Sequence, residues 1–150
     1  MQTKILIPSF AVALLVVIGG YFLFNPSYEK SIQAKYYYET GEYKEAYTLA
    51  KEAFSLDLYN RMASTIMAQS KTSLKYVSYI EDSKKYMKQI DEIAKSDIIS
   101  DSHKAKMKMI CEIMISRYIK LAPSVITDND LVKDSAKYNS MFEKLLEKVN

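Results

Sequence analysis

A run of twenty residues without a charged side chain, from Ile5 to Phe24, most strongly constrains what this chain can form. As a helix, a run of that length rises about 30 Å, which matches the hydrocarbon core of a bilayer. No later stretch has a comparable apolar length, so the residues from Asn25 onward are expected to be soluble. The sequence therefore predicts a short tail at 1–4, a transmembrane helix at 5–24, a juxtamembrane linker at 25–30 and a helical domain at 31–150.

A cleaved signal peptide is the alternative interpretation of the apolar run. Signal peptides combine a basic start, an apolar stretch of about 7–15 residues and small residues at the cleavage site. Lys4 provides the basic start, but the apolar run is longer than that and ends in aromatic residues. Aromatic rings favour the membrane–water boundary, so the pattern favours an uncleaved single-pass anchor. The aromatic residues concerned are Tyr21, Phe22, Phe24 and Tyr28.

The charges that flank the run bear on its orientation. Lys4 and the amino terminus precede it, whereas Glu29, Lys30 and Lys35 follow it. Lys and Arg favour the cytoplasmic side of a membrane helix, and here the two sides are nearly balanced. Because a very short, positively charged tail usually stays in the cytoplasm, we expect the helical domain on the extracytoplasmic side. The single cysteine cannot form an intramolecular disulfide, so it does not decide the compartment.

Composition excludes some classes of function and favours one class of fold. The net charge is only +3 over 150 residues, with both signs interspersed, whereas nucleic acid binding requires a dense cationic patch. After residue 24 the only glycine is Gly41, and the only prolines are Pro26 and Pro123. So few breakers favour helices joined by short turns over sheets.

Apolar periodicity and capping residues predict an all-α domain after the anchor. Candidates for helix N-caps are Ser27, either Ser100 or Asp101, and the segment Asp128-Asn129-Asp130, and Gly41 is the candidate for a helix C-terminus. Met62, Ala94 and Cys111 fall on inward-facing stripes. The predicted helices cover residues 27–39, 43–56, 60–72, 77–94, 102–121 and 131–149.

The first two of these helices carry a spacing specific enough to compare with a known family. The segment from Tyr37 through Gly41, Tyr43, Ala46 and Ala53 resembles a tetratricopeptide repeat, a helix–turn–helix of 34 residues. Leu56-Asp57 matches the end of that repeat, but Leu58 stands where the family has Pro. The first helix also departs from the family at Lys30, Gln33 and Ala34, and Lys75 stands where a second repeat would place its glycine. The resemblance implies stacked helical hairpins; a chance match within an irregular helical bundle is the alternative.

A stack of such hairpins leaves an extended concave surface that binds other proteins. In the tetratricopeptide family, exposed residues of the first helix of each repeat line that surface. The resemblance therefore implies a protein-binding role for Tyr28, Lys35, Tyr38 and Glu39, with Ser31 on the same face. The alternative is that Tyr38 packs on the next hairpin and that Lys35 is solvated. The consecutive tyrosines Tyr36, Tyr37 and Tyr38 cannot all be buried, so at least one is expected to be exposed.

The sequence predicts no catalytic residue, metal site or cofactor. His103 is the only histidine and is expected on the surface, whereas Cys111 is expected in the core. Asp128-Asn129-Asp130 lacks the glycine and distal glutamate of a calcium loop, which leaves a helix cap as its interpretation. No glycine-rich phosphate loop is present. We expect no nucleic acid and no small-molecule substrate.

The expected function is that of a single-pass, membrane-anchored adaptor or scaffold that binds a protein partner at the membrane surface. The lipid bilayer would contact residues 5–24. The alternative is a structural subunit that assembles into a larger membrane complex through its transmembrane helix. Ser9 and Ala13 give that helix a small-residue spacing of the kind that packs helices in membranes. An enzyme ranks third among the interpretations.

Overall fold

The computed structural model of the chain describes residues 3–96, 99–123 and 127–149, and in its first helix it describes the side chains of residues 9–21. Within these residues the chain is all-α and contains no strand, as predicted. Met1 and Gln2 of the predicted tail, the side chains of Phe22 and Phe24, and Asp97 and Ile98 of a predicted loop lie outside that description. The six helices are α1 (Thr3–Phe24), α2 (Pro26–Glu39), α3 (Tyr43–Leu56), α4 (Arg61–Ala94), α5 (Asp101–Ile119) and α6 (Asn129–Val149).

The chain divides into two compact units, Met1–Ser70 and Lys71–Asn150. Helix α4 supplies residues 61–70 to the first unit and residues 71–94 to the second. The prediction of two separate helices at 60–72 and 77–94 is wrong, because α4 is continuous through residues 73–76. That segment contains neither Gly nor Pro, so each residue can extend the helix by one backbone hydrogen bond.

Helix α1 bears on the predicted membrane span. Among the described residues, no single helix combines the length and the apolar composition that a bilayer crossing needs. The bent pair formed by Ser9–Tyr21 and Pro26–Glu39 meets both requirements together. The transmembrane helix at 5–24 therefore stays a prediction.

Helix α2 begins directly after α1, and residues 26–30 of the predicted linker form its first turn. Pro26 occupies the first helical position, where its missing N–H costs nothing. The N-cap is Asn25 rather than the predicted Ser27, since Asn25 Oδ1 accepts a hydrogen bond from Ser27 N–H at 3.0 Å. Lys30 Nζ then lies 2.7 Å from Glu52 Oε2 on α3.

The turn between α2 and α3 forms as the glycine position predicts. Gly41 has φ +84°, in the left-handed region that L side chains avoid. The Gly41 N–H donates to the Tyr38 carbonyl at 3.2 Å, and the Glu42 N–H donates to the Tyr37 carbonyl at 2.8 Å. This pair of bonds is the Schellman arrangement, which satisfies the last carbonyls of α2 and reverses the chain.

Small side chains allow α2 and α3 to pack closely. Ala34 on α2 and Ala46 and Ala50 on α3 are fully buried and form one apolar cluster with Ile66 of α4. Tyr43 and Ala53 are also buried on the predicted stripe of α3. Met62 is the exception among the positions predicted to face inward in this unit, because it is 37% exposed.

Asn60 connects the start of α4 to the two helices before it. Its Oδ1 accepts a hydrogen bond from Ala63 N–H at 3.1 Å, which caps α4. Its Nδ2 donates to Ser27 Oγ at 2.9 Å and to Ser31 Oγ at 3.3 Å. Ser27 Oγ donates onward to the Ala53 carbonyl at 2.8 Å. All three polar side chains are buried, so the network fixes α2, α3 and α4 within the first unit.

The second unit has its own apolar core, which follows the predicted stripes of α4, α5 and α6. Ser100 Oγ caps α5 by accepting a hydrogen bond from His103 N–H at 3.3 Å, and Asp128 Oδ1 accepts one from Asp130 N–H at the start of α6 at 2.8 Å. These caps confirm the predicted starts of both helices. Ala94 was predicted to face inward but is exposed, because it is the last residue of α4. The buried core residues are Tyr79, Ile80, Ile90, Met107, Ile110, Cys111, Met114 and Phe142.

Replacing Asn60 tests the buried network. The Asn60→Ala substitution removes the cap of α4 and both bonds to the α2 serines. We expect it to lower the free energy of opening of the first unit by about 2–3 kcal/mol. Amide hydrogen exchange in α3, measured on the full chain in detergent micelles, reports that free energy. The exposed Asn129→Ala serves as the control, and an equal effect of the two substitutions would contradict this role for Asn60.

Candidate binding groove

An open groove of about 420 Å³ lies between α2 and the first turns of α4. Three of the four residues predicted to bind a partner line it, namely Lys35, Tyr38 and Glu39. They share one face of α2 because their spacing is three and four residues. The α4 residues that complete the lining follow the same spacing and are Arg61, Met62, Thr65, Ile66 and Gln69.

Tyr28, the fourth predicted residue, does not line this groove. It is half-buried in the first turn of α2, and its carbonyl accepts a hydrogen bond from Ser31 Oγ at 2.9 Å. Its role in partner binding stays a prediction.

The groove combines an apolar floor with a charged rim. Ile66 is buried, Tyr38 is half-buried, and Met62 exposes part of its side chain to the opening. The rings of Tyr38 and Tyr43 make a T-shaped contact, with 5.4 Å between the ring centroids. An adaptable Met beside an aromatic ring is typical of surfaces that accept apolar side chains.

The rim carries two cations and one carboxylate. Lys35 Nζ lies 3.7 Å from Glu39 Oε1, and both side chains are exposed, so this ion pair contributes at most about 1 kcal/mol. Arg61 is exposed and makes no ion pair with any described residue. The rim therefore has a net positive charge, which complements an acidic group on a ligand.

The tyrosine triplet of α2 behaves as the helical geometry requires. Tyr36 is 63% exposed, whereas Tyr37 and Tyr38 are half-buried, which confirms that at least one of the three faces solvent. The exposed Tyr36 lies outside the groove and packs edge-on against Tyr37, with 5.7 Å between ring centroids.

The α4 half of the groove was not predicted, although the sequence contains a signal for it. A shift by one 34-residue repeat length carries Tyr28, Ser31 and Lys35 onto Met62, Thr65 and Gln69. All three of those residues line the groove. A second repeat would have glycine where this chain has Lys75, so no second repeat could be identified from its turn.

The other candidates for chemistry belong to the second unit, whereas the groove belongs to the first. Cys111 is fully buried, as predicted, and burial raises the pKa of its thiol, which keeps it protonated at neutral pH. His103 lies in the first turn of α5 and is half-buried rather than exposed as expected. Over residues 3–96, 99–123 and 127–149, no three His, Cys, Asp or Glu side chains gather as a metal site requires.

Comparisons with known protein families, with curated proteins and with solved structures find no match to this chain.

Tyr79 gives a testable pH dependence in the second unit. It is 1% exposed, and burial raises the pKa of its phenol to about 12. The unfolded pKa is about 10, so the stability contribution of the protonated phenol is complete below pH 10 and is lost as the pH rises through 12. The wild-type chain should therefore lose about 2 kcal/mol of its free energy of unfolding between pH 10 and pH 12, and Tyr79→Phe should abolish that loss. Thermal unfolding of the full chain between pH 8 and pH 12 measures this dependence of stability on pH. The exposed Tyr36→Phe serves as the control. If the stability of Tyr79→Phe fell with pH in parallel with that of the wild type, the assignment would be contradicted.

Proposed function

We propose that this chain is a membrane-anchored, tetratricopeptide-like adaptor whose groove between α2 and α4 binds a segment of a protein partner. The observation that carries the proposal is the groove itself. It brings together three residues that a repeat of this kind would use and adds residues of α4, of which Gln69 lies one repeat length after Lys35. An open apolar floor with a cationic rim suits a peptide that carries an apolar side chain and a carboxylate.

The surface of α1 supports a bilayer anchor. Its residues from 9 to 21 are uncharged and, apart from the two glycines, exposed, and the uncharged run in the sequence extends from residue 5 to residue 24. Apolar surface of this extent is rare on a protein in water and is typical of contact with lipid or with another protein. The large exposed side chains of α1 are Phe10, Val12, Leu14, Leu15, Val16, Val17, Ile18 and Tyr21.

Local geometry supports the repeat interpretation of α2 and α3. Gly41 adopts the left-handed turn, and Ala46 and Ala53 are fully buried at the positions where the family has small residues. A shift by 34 residues relates Lys35 on one side of the groove to Gln69 on the other, although α4 continues as one helix past Lys75, where a second repeat would turn. We assign the amino terminus to the cytoplasm and the helical units to the other side, because the cation Lys4 directly precedes the apolar run.

The groove is tested by a double substitution with a closely matched control. Lys35→Ala with Tyr38→Ala removes a cation and an aromatic ring from the groove. Lys44→Ala with Tyr47→Ala removes the same residue types, at the same spacing, from α3 outside the groove. We expect the first pair to reduce recovery of a specific partner about tenfold or more and the second to leave it unchanged.

Recovery is measured by cross-linking in membranes, extraction of the full chain in detergent and mass spectrometry of the captured proteins. Arg61→Glu, at an exposed position that contributes little to packing, should reproduce the loss by reversing one rim charge. Equal recovery by the groove and control variants, or no specific partner with the wild-type chain, would refute binding in the groove.

A structural subunit that assembles through α1 is the alternative function. Ser9 and Ala13 lie one turn apart on α1, and beyond the adjacent residues and the backbone of α1 itself no described atom lies within 4 Å of the position that a Cβ at Gly19 or Gly20 would occupy. Such small residues allow close approach of a second helix in a membrane.

Exchanging residues 5–24 for an unrelated membrane span separates the two functions. We expect the exchanged chain to keep its groove-dependent partner, because an adaptor requires the span only as a tether. The measurement is the same cross-linking and capture, with the groove variant as the negative control. Loss of the partner on exchange, with the protein still in the membrane, would favour the packed subunit.

A further inference from the structure

The connection between α3 and α4 is a tight turn with apolar residues at its tip. The Asn60 N–H donates to the Asp57 carbonyl at 3.1 Å, which closes a β-turn over residues 57–60. Asp57 Oδ1 also accepts a hydrogen bond from Tyr59 N–H at 2.9 Å. Leu58 and Tyr59 therefore occupy the two central positions, where Gly, Pro, Asn, Asp and Ser predominate in proteins exposed to water.

These two side chains are among the most exposed apolar groups of the described chain. Leu58 is 68% exposed and Tyr59 is 92% exposed, and Leu56, the last residue of α3, is 57% exposed. The hydrogen bonds of the turn hold it in shape, so the exposed tip is a fixed feature of the first unit. The carboxylate of Asp57 is directed back into the turn, where it accepts the hydrogen bond from Tyr59 N–H. The side chain of Arg61, the first residue after the turn, is exposed.

The turn lies at the end of the first unit where α1 joins α2. Tyr59 directly precedes Asn60, and Asn60 Nδ2 donates to Ser27 Oγ at 2.9 Å. Ser27 follows the last residue of α1 by three positions, which is at most about 11 Å along the chain. The Gly41 turn lies at the opposite end of α2, about 20 Å away along the helix axis.

We infer that this turn docks into the interfacial layer of the bilayer that holds α1, with Leu58 and Tyr59 inserted among the lipid headgroups. This inference rests on the anchor proposed above. A tyrosine suits that layer because its ring is apolar and its hydroxyl remains hydrated. Arg61 is exposed directly after the turn, where its guanidinium can pair with a headgroup phosphate. The contact would give the first unit a second attachment to the membrane and thus a defined orientation of the groove.

The chain contains no tryptophan, so one substitution introduces a unique fluorescent probe. The full chain carrying Tyr59→Trp is reconstituted into vesicles of phosphatidylcholine and phosphatidylglycerol whose acyl chains are brominated near the headgroups. Tyr36→Trp provides the matched control, because Tyr36 is also an exposed tyrosine but lies towards the Gly41 end of α2. We expect the brominated lipids to quench the Tyr59→Trp probe several-fold more than the Tyr36→Trp probe.

A second variant keeps the probe and removes the apolar neighbour. Leu58→Asp in the Tyr59→Trp background should reduce the quenching to the level of the Tyr36→Trp control. Equal quenching of both probes in protein that floats with the vesicles would overturn the docking of the turn and leave the anchor intact. Failure of the wild-type chain to float with the vesicles would instead refute the anchor, and the inference would fall with it.

Discussion

The buried hydrogen bonds of Asn60 are the interaction on which the first unit depends. Leaving a buried polar group without a partner costs about 1–3 kcal/mol, whereas an exposed ion pair such as that of Lys30 and Glu52 contributes at most about 1 kcal/mol. Asn60, Ser27 and Ser31 must therefore meet whenever the unit is folded. Alanines provide close packing between α2 and α3, but alanine surfaces are smooth and specify position weakly. The directional bonds of Asn60 supply the specificity that the alanines lack.

Both surfaces proposed to bind, the groove and the turn, lie directly beside this residue. Arg61 and Met62 follow Asn60 and line the groove, and Leu58 and Tyr59 precede it at the tip of the turn. The same network thus sets the width of the groove and holds the turn near the end of α1. In the proposed function, a partner bound in the groove would be held close to the bilayer, because the anchor, the turn and the groove all belong to one unit.

Helix ends could be predicted wherever a residue imposes them. Gly41 and the caps at Ser100 and Asp128 act locally, and the helices at those points begin or end as expected. The predicted break at 73–76 was wrong because it was inferred from apolar periodicity, and no residue there stops a helix. Burial was harder to predict: an apolar stripe indicates an inward face, yet Met62 and Ala94 on the predicted stripes are exposed. The α2 side of the groove followed from the family resemblance, whereas its α4 side depends on how α4 packs, which Asn60 decides through contacts distant in sequence.

Retention of the whole chain in the membrane tests the central claim most directly. Membranes from cells that produce the protein are extracted with alkaline carbonate, and the intact mass of the protein is measured in the pellet and in the supernatant. The account predicts a protein of the full 17.3 kDa in the pellet. A shorter protein that lacks the apolar run and is recovered in the supernatant would contradict it.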